Sequence, residues 1–150
     1  KDFELHFAGN INATIQAELL EYGFSKMIKY HGYISHEKAI DFMVSSSVLL
    51  FPIPQAAYNE NIITGKIFEY LVSNRPILAI APVDSDVAKI INDTKTGTVI
   101  DFEDAVQLKA IILELYKKFK EDKLSVEPVN VERYHRKKLT KKLAQIITNL

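Results

Sequence analysis

The chain has 150 residues, of which 47% are apolar and 25% charged, and its 19 Lys and Arg side chains balance 19 Asp and Glu side chains. This length and composition are typical of one soluble globular domain, which can build its core without a metal ion or a disulfide. The absence of cysteine excludes disulfide scaffolds, thiolate zinc sites, iron–sulfur clusters and cysteine nucleophiles, and it fits a reducing compartment. The balanced charge argues against a dedicated nucleic-acid binder, which would need a basic surplus.

Short β-rich segments alternate with helical segments along the chain, a pattern that predicts a parallel sheet with helices on both faces. The chain starts at once in a predicted strand, without an initiator Met or an apolar signal sequence, so we expect it to be a piece of a longer protein. No apolar run approaches the roughly 20 residues of a membrane span. The predicted strands are 3–8, 27–31, 48–51, 76–81 and 98–100. The predicted helices are 12–22, 35–44, 64–73, 84–92 and one that opens at 101–104 and runs to 120.

Several of these boundaries follow from single residues. Gly23 is placed to end the first helix, and Ser35 and Thr64 are placed to cap two later ones. Pro52 is placed to end the third strand. Segment 76–81 is a near-continuous apolar run, the composition expected of a strand that is buried on both faces.

The end of the chain differs from the rest in charge. Residues 121–129 are polar and are predicted to form a linker, and a final helix is predicted to begin at Asn130. Residues 130–150 hold six of the 19 basic side chains and one of the 19 acidic ones, so a basic tail follows an acidic body. We therefore predict a domain over 1–129 and an amphipathic basic helix over 130–150 that packs on it. The apolar stripe of that helix consists of Leu139, Leu143, Ile146, Ile147 and Leu150.

The segment around Gly65 is the richest candidate for a binding site. In parallel α/β sheets, ligands bind beyond the carboxyl ends of the strands, where the following helices start. Gly65 has no side chain to block a ligand, and the first-turn amides of Gly65, Lys66 and Ile67 favour an anion. Lys66 adds a full positive charge, and Glu69 lies on the same face one turn deeper. This pattern suits a nucleoside diphosphate, whose ribose hydroxyls would donate to Glu69.

The same residues also permit a purely structural interpretation. In it, Lys66 and Glu69 form an exposed ion pair worth about 0.3–0.5 kcal/mol, and Gly65 eases a turn. The pattern by itself leaves both interpretations open. The apolar side chains predicted to point the other way and anchor this helix are Phe68, Leu71 and Val72.

Residues 64–79 read Thr-Gly-Lys-Ile-Phe-Glu-Tyr-Leu-Val-Ser-Asn-Arg-Pro-Ile-Leu-Ala. This segment resembles the donor-site helix and following strand of retaining GT-B glycosyltransferases, in the bacterial branch that makes surface polysaccharides. Segments 3–9, 31–34, 47–51 and 96–97 resemble successive strand ends of that family's carboxyl-terminal, nucleotide-sugar-binding domain. The resemblance runs from residue 3 to about residue 120. It implies a doubly wound, Rossmann-like parallel sheet whose first strand–helix unit is missing, which leaves strand 3–8 or a neighbour as an edge.

The resemblance assigns roles to individual residues. Glu69 resembles the second glutamate of the family's Glu, seven residues, Glu motif, which holds the ribose hydroxyls. The first glutamate corresponds to position 61, which is Asn61 here, so its contact to the donor sugar is not carried over. Gly65 and Lys66 resemble the portion that faces the diphosphate, and Thr64 completes this predicted donor-binding segment. The residues that resemble the loop beside the nucleobase are Gly32, Tyr33 and Ile34.

The resemblance implies transfer of a sugar from a nucleoside diphosphate sugar to a glycan or a lipid-linked acceptor. It implies no metal or other cofactor, because positive groups and helix amides offset the charge that develops on the leaving diphosphate. The acceptor site would lie in the missing amino-terminal domain, so we expect no turnover from this fragment alone, and we assign no catalytic residue. Two alternatives share the nucleotide-sugar pocket: a 2-epimerase of the same fold and a non-catalytic binding module.

The partners expected from this interpretation are a nucleotide sugar and an acceptor, and nucleic acid is not expected. We predict a cytoplasmic location. The basic tail also suggests peripheral contact with an anionic inner membrane, and its alternative is a solvated basic face without a partner.

Other polar residues carry weaker signals. No histidine pair has the helical spacing of a metal site, and His6 and His31 are expected to be structural residues of strands. His36 is a weak binding candidate beside the predicted base loop. Asp84 and Asp86 follow the apolar strand and could reach a ligand, but acids at the start of a helix ordinarily stabilise the helix dipole.

Overall fold

The structure is a computed structural model and describes residues 3–149. It divides into two compact units, residues 3–45 and residues 46–149. Both units have parallel strands connected through helices, so the predicted α/β class is confirmed. None of the helices between residues 3 and 149 combines the length and the apolarity needed to cross a bilayer.

The first unit contains two strands and two α-helices. In chain order they are β1 (Leu5–Phe7), α1 (Ala13–Glu21), β2 (Ile28–Tyr30) and α2 (His36–Ser45). The strands pair in parallel with Leu5 opposite Ile28. Helix α1 begins after Asn12, whose side chain accepts a hydrogen bond from the Thr14 amide at 2.8 Å. As predicted, it ends just before Gly23, which has a φ of 80°.

The second unit holds a three-stranded parallel sheet in the order β3-β4-β5. Its elements are β3 (Leu49–Pro52), α3 (Gly65–Leu71), β4 (Ile77–Ile80), α4 (Asp86–Thr94), β5 (Gly97–Ile100), α5 (Ala105–Lys120) and α6 (Arg136–Thr148), with short 3₁₀ turns at Asn59–Asn61 and Val131–Tyr134. Strand β4 pairs on both sides, with Ile77 opposite Leu49 and Gly97. Pro52 lies within β3 rather than after it, because on an edge strand its missing amide costs no ladder bond.

The core of the second unit lies between the sheet and helices α3 and α4. It consists of Phe51, Ile53, Ile67, Leu71, Ile77, Ala79, Ala81, Val87, Ile90 and Ile91. Helix α4 contributes most from the helical side, and the Ser85 hydroxyl caps it by accepting a hydrogen bond from the Ala88 amide. As predicted, β4 is almost wholly apolar, because both of its faces are covered.

The strands form two sheets, whereas the sequence predicted one. In the doubly wound strand order 3-2-1-4-5-6, strand 1 lies between strands 2 and 4. Here β1 and β2 correspond to strands 2 and 3, and β3 to β5 correspond to strands 4 to 6. Among the described residues no strand takes the place of strand 1, and β1 pairs with β2 alone.

Several helix boundaries differ from the predictions by one or more residues, and two of these differences have a visible cause. Helix α3 ends at Leu71 instead of residue 73, because the Ser73 hydroxyl donates to the Tyr70 carbonyl at 2.7 Å and accepts from the Arg75 amide at 3.2 Å, which forms a turn. The final α-helix begins at Arg136 instead of Asn130. Asn130 has a φ of 57°, and His135 has an extended backbone, so the 3₁₀ turn and α6 are separate. Of the predicted apolar stripe, Leu150 lies outside the described residues.

Candidate functional site

Helix α3 is held in place from both of its ends. Before it, half-buried Ile62 packs against the core and fixes the end of the loop that follows β3. Within it, Ile67 and Leu71 are buried one turn apart. Phe68 is half-buried, and Val72 is 67% exposed, so the prediction that Val72 anchors the helix is wrong. The reason is that the helix ends at Leu71, which leaves Val72 beyond the buried stripe.

The opposite face of α3 presents the predicted polar residues to solvent. Thr64, Gly65, Lys66 and Glu69 are all exposed. Thr64 stands at the N-cap position, but its side chain makes no capping hydrogen bond. The Ile67 amide donates to the Thr64 carbonyl at 3.2 Å, whereas the amides of Gly65 and Lys66 lack acceptors within the helix and keep their donor capacity. A Cβ built on Gly65 would meet no other part of the chain within 4 Å, so the surface above the helix start is open.

Lys66 and Glu69 do not form the ion pair of the structural interpretation. Within residues 3–149 neither side chain makes a salt bridge or a hydrogen bond. A cation and a carboxylate thus lie three residues apart on one exposed face, each free to bind a ligand. This arrangement can hold a phosphate beside Lys66 and accept hydroxyl hydrogen bonds at Glu69.

Next to Glu69, Tyr70 turns back toward the sheet. Its ring packs edge-on against Phe51, with centroids 5.7 Å apart. Burial raises the pKa of Tyr70, and the negative charge of Glu69 raises it further. Tyr70 thus packs toward the core, while its neighbour Glu69 stays exposed.

The loop before α3 contains two further polar residues, Glu60 and Asn61, and one aromatic residue, Tyr58. Asn61 is exposed, and its side-chain amide donates to the Glu60 carboxylate in a long contact of 3.4 Å. Tyr58 is also exposed and has a φ of 62°, a conformation that is uncommon for a bulky residue. The conformation of Tyr58 was not predictable, because the sequence does not indicate a positive φ at a residue other than glycine.

The predicted base loop lies in the first unit. Gly32 has a φ of 61°, and its carbonyl accepts a hydrogen bond from the Gly9 amide at 2.7 Å, which joins the ends of β1 and β2. Tyr33 is exposed, and Ile34 is half-buried. The structure thus brings Gly32, Tyr33 and Ile34 together on one loop, and it brings the other four predicted residues together at α3 in the second unit.

Three polar side chains in the first unit, those of Glu4, His6 and His31, lie within hydrogen-bonding distance of one another in a row. The Nδ1 atom of His6 lies 3.1 Å from Nε2 of His31, and Nε2 of His6 lies 3.1 Å from a Glu4 carboxylate oxygen. Parallel pairing of β1 and β2 is what brings the two rings together. Among residues 3–149, no group of three or more His, Cys, Asp or Glu side chains has a metal-binding arrangement.

Comparison with known families adds an independent finding. Residues 1–118, more than three quarters of the chain, match the family described as Glycosyl transferases group 1. The chain belongs to this family. No curated protein and no solved structure matches it. The residues of this group 1 glycosyl transferase that match the family include the Gly32 loop and all of α3, and the match ends within α5.

Membership of the group 1 glycosyl transferases confirms the predicted resemblance at the level of the family. It supports glycosyl transfer in general as the activity. Helix α6 lies outside the matched residues.

Proposed function

We propose that this group 1 glycosyl transferase uses α3 to bind a nucleoside diphosphate sugar and transfers the sugar to a glycan or a lipid-linked acceptor. The observation that carries the proposal is the exposed, unpaired combination of Lys66 and Glu69 on the first turns of α3. That combination lies inside the segment that matches the family. The bacterial surface-polysaccharide branch and a cytoplasmic location belong to the same proposal, the latter supported by the absence of cysteine.

Each group at α3 has a distinct task in this proposal. The diphosphate lies beside Gly65, where no side chain blocks its approach to the helix amides, and Lys66 neutralises part of its charge. Glu69 accepts hydrogen bonds from the two ribose hydroxyls. As the bond to the sugar breaks, negative charge grows on the leaving diphosphate, and the same cation and amides stabilise it. The proposal therefore requires no metal ion. Gly32, Tyr33 and Ile34 are assigned to the nucleobase.

The test is a titration with uridine diphosphate and guanosine diphosphate followed by NMR. We expect the amide signals of residues 64–70 to shift, and we expect weak binding. Replacing Glu69 with Ala should weaken binding by about 1–3 kcal/mol, because two hydrogen bonds to a charged acceptor are lost. Glu18→Ala removes an exposed carboxylate from α1 and serves as the matched control.

Two results would reject the assignment of the site: signals that shift mainly outside α3, its preceding loop and residues 32–34, or equal affinities for the Glu69→Ala and Glu18→Ala proteins. In the full-length enzyme, a transferase releases free nucleoside diphosphate only when an acceptor is present. Release without an acceptor would instead support the 2-epimerase alternative, and tight binding without any turnover would support a binding module.

A further inference from the structure

Helix α6 presents an apolar face that nothing among the described residues covers. Every residue from 136 to 149 is exposed. Four large apolar residues, the apolar stripe of α6, keep between 44% and 62% of their surface exposed. They are Leu139, Leu143, Ile146 and Ile147. At 3.6 residues per turn these positions share one side of the helix.

The exposure of α6 is not that of a frayed chain end, because the residues just before it are fixed to α4. Arg133 donates to both carboxylate oxygens of Asp93 at 2.8 and 2.9 Å, and the Tyr134 hydroxyl donates to Asp93 at 3.1 Å. The Asn130 side chain donates to the Asp93 carbonyl at 3.2 Å. Val131 and Tyr134 also pack against the core. The chain is thus anchored up to Tyr134, and α6 projects its stripe from there.

The rest of the α6 surface is strongly basic. The helix contains five basic residues and no acidic one: Arg136, Lys137, Lys138, Lys141 and Lys142. Within the described part of the chain, the acidic contact recorded for them is a 4.0 Å approach of Lys138 to Glu132, which is exposed and weak. Lys137, Lys138 and Lys141 lie on the side away from the stripe, Lys142 lies at its border, and Arg136 lies at its amino-terminal end.

We propose that α6 binds an anionic phospholipid surface, lying in its plane with the apolar stripe at the acyl boundary and the lysines at the head groups. An apolar stripe bordered by lysines is the pattern of interfacial helices, whose long side chains reach the head groups while their stems stay in contact with apolar surface. Charge complementarity favours this occupant over a second α6, because two copies would bring ten cations together without an acid between them. The inference goes beyond the proposed function and uses none of its site residues.

The experiment measures flotation of the chain with phosphatidylcholine vesicles that do or do not contain phosphatidylglycerol. We expect binding to the anionic vesicles alone, and binding that weakens as salt is added. Changing Lys137, Lys138, Lys141 and Lys142 to Gln should weaken it at least tenfold, because each lysine near an anionic surface contributes roughly fivefold. The control carries the same charge change elsewhere, with Gln at Lys26, Lys29, Lys38 and Lys109, and should bind like the parent.

A second variant tests the stripe at constant charge. Leu143→Ser with Ile147→Ser should also weaken binding to the anionic vesicles, since the buried apolar area is lost. Both side chains are exposed, so far-ultraviolet circular dichroism and the urea midpoint should match those of the parent.

Three results would overturn the proposal: equal binding to both vesicle types, equal binding of the tail variant and its control, or a stripe variant that binds like the parent. A concentration-dependent dimer that the stripe variant abolishes, without vesicle binding, would assign the stripe to a second copy instead. Donor titration of the same variants separates this proposal from the proposed function. A parent protein that shows the nucleotide shifts at residues 64–70 but does not bind the anionic vesicles rejects the membrane role alone. A parent protein that binds the vesicles without those shifts rejects the donor site alone.

Discussion

At the scale of single residues, Gly97 sets how closely two strands approach. It lies opposite Ile77 in the register of β4 and β5. A Cβ at this position would overlap the Ile77 carbonyl oxygen and lie 2.8 Å from the Ile77 Cβ. Both atoms belong to Ile77 in the central strand β4, so they have little freedom to move.

We predict that Gly97→Ala lowers the free energy of unfolding by about 1–3 kcal/mol, because the two strands must separate to admit the methyl group. Gly65→Ala is the matched control, since the space at Gly65 is open and alanine is favoured in a helix. The control should leave stability unchanged or raise it by up to about 1 kcal/mol. Urea denaturation of the three proteins measures both effects. If the two variants had the same midpoint, close strand contact would not be the reason for glycine at 97.

The sequence reveals some residue roles and hides others for physical reasons. Gly23 was predicted as a helix stop, because a left-handed residue after a helix is most often glycine. The tight contact at Gly97 was not predictable, because it depends on which residue of β4 lies opposite. The exposure of Lys66 and Glu69 followed from helical spacing. Whether they pair depends on side-chain conformations that spacing does not fix.

At the scale of elements, the contact between α4 and the turn Val131–Tyr134 includes a titratable group, the Tyr134 hydroxyl. The Tyr134 hydroxyl donates to Asp93, and its ring lies beside Phe68 of α3 with centroids 6.2 Å apart. Burial raises the pKa of Tyr134, and the hydrogen bond to Asp93 raises it further. Above the usual tyrosine pKa of about 10, the folded protein therefore holds a proton that the unfolded chain has lost.

We predict that stability falls as the pH rises from about 9 through the raised pKa of Tyr134, and that it is fully present below about pH 9. Tyr134→Phe keeps the ring but removes the titrating group, so its stability should fall less over the same pH interval. At neutral pH this variant should lose about 0.5–1.5 kcal/mol with the hydrogen bond to Asp93. Urea denaturation across the alkaline range measures both. Tyr22→Phe, at an exposed tyrosine, is the control, and equal slopes for the two variants would contradict the prediction.

Element order was predictable and element ends were less so. All five predicted strands and all of the predicted helices occur in the predicted order, because apolar periodicity and turn residues report local structure. The end of α3 and the start of α6 were misplaced, because a Ser73 turn and a left-handed Asn130 decide them. The packing of the tail helix on residues 1–129 stays a prediction.

At the scale of the whole molecule, the apolar burial is unequal between the two units. In residues 3–45, Ile28 is the one buried apolar residue that the structure describes, and helices α1 and α2 expose Ile15, Leu20, Ile40 and Val44. The second unit contains the contiguous core around β4. Alternating strand and helix patterns predicted one sheet, and they do not show which strands pair or how much each pairing buries.

This inequality predicts two levels of protection in native-state hydrogen exchange of the 150-residue chain. The amides of β4 lie in a strand that is bonded on both sides, since the Ile77 amide donates to the Thr96 carbonyl and the Ile80 carbonyl accepts from the Ile53 amide. They should exchange only through global unfolding. The amides that join β1 to β2, such as Leu5 to Met27 and His31 to Phe7, are covered by little apolar surface and should exchange at least about tenfold faster.

Hydrogen exchange at increasing urea concentration distinguishes separate opening of the first unit from unfolding of both units together. If the first unit opens by itself, a low urea concentration should leave the exchange of its amides nearly unchanged, because a small opening exposes little surface. The exchange of β4 should accelerate steeply over the same range, with the slope of global unfolding. The Gly97→Ala variant supplies the control: it should speed exchange in β4 and leave the Leu5 and His31 amides as they are. A common rate and a common urea slope for all of these amides would mean that the two units unfold together, and that the two separate sheets still behave as one cooperative structure.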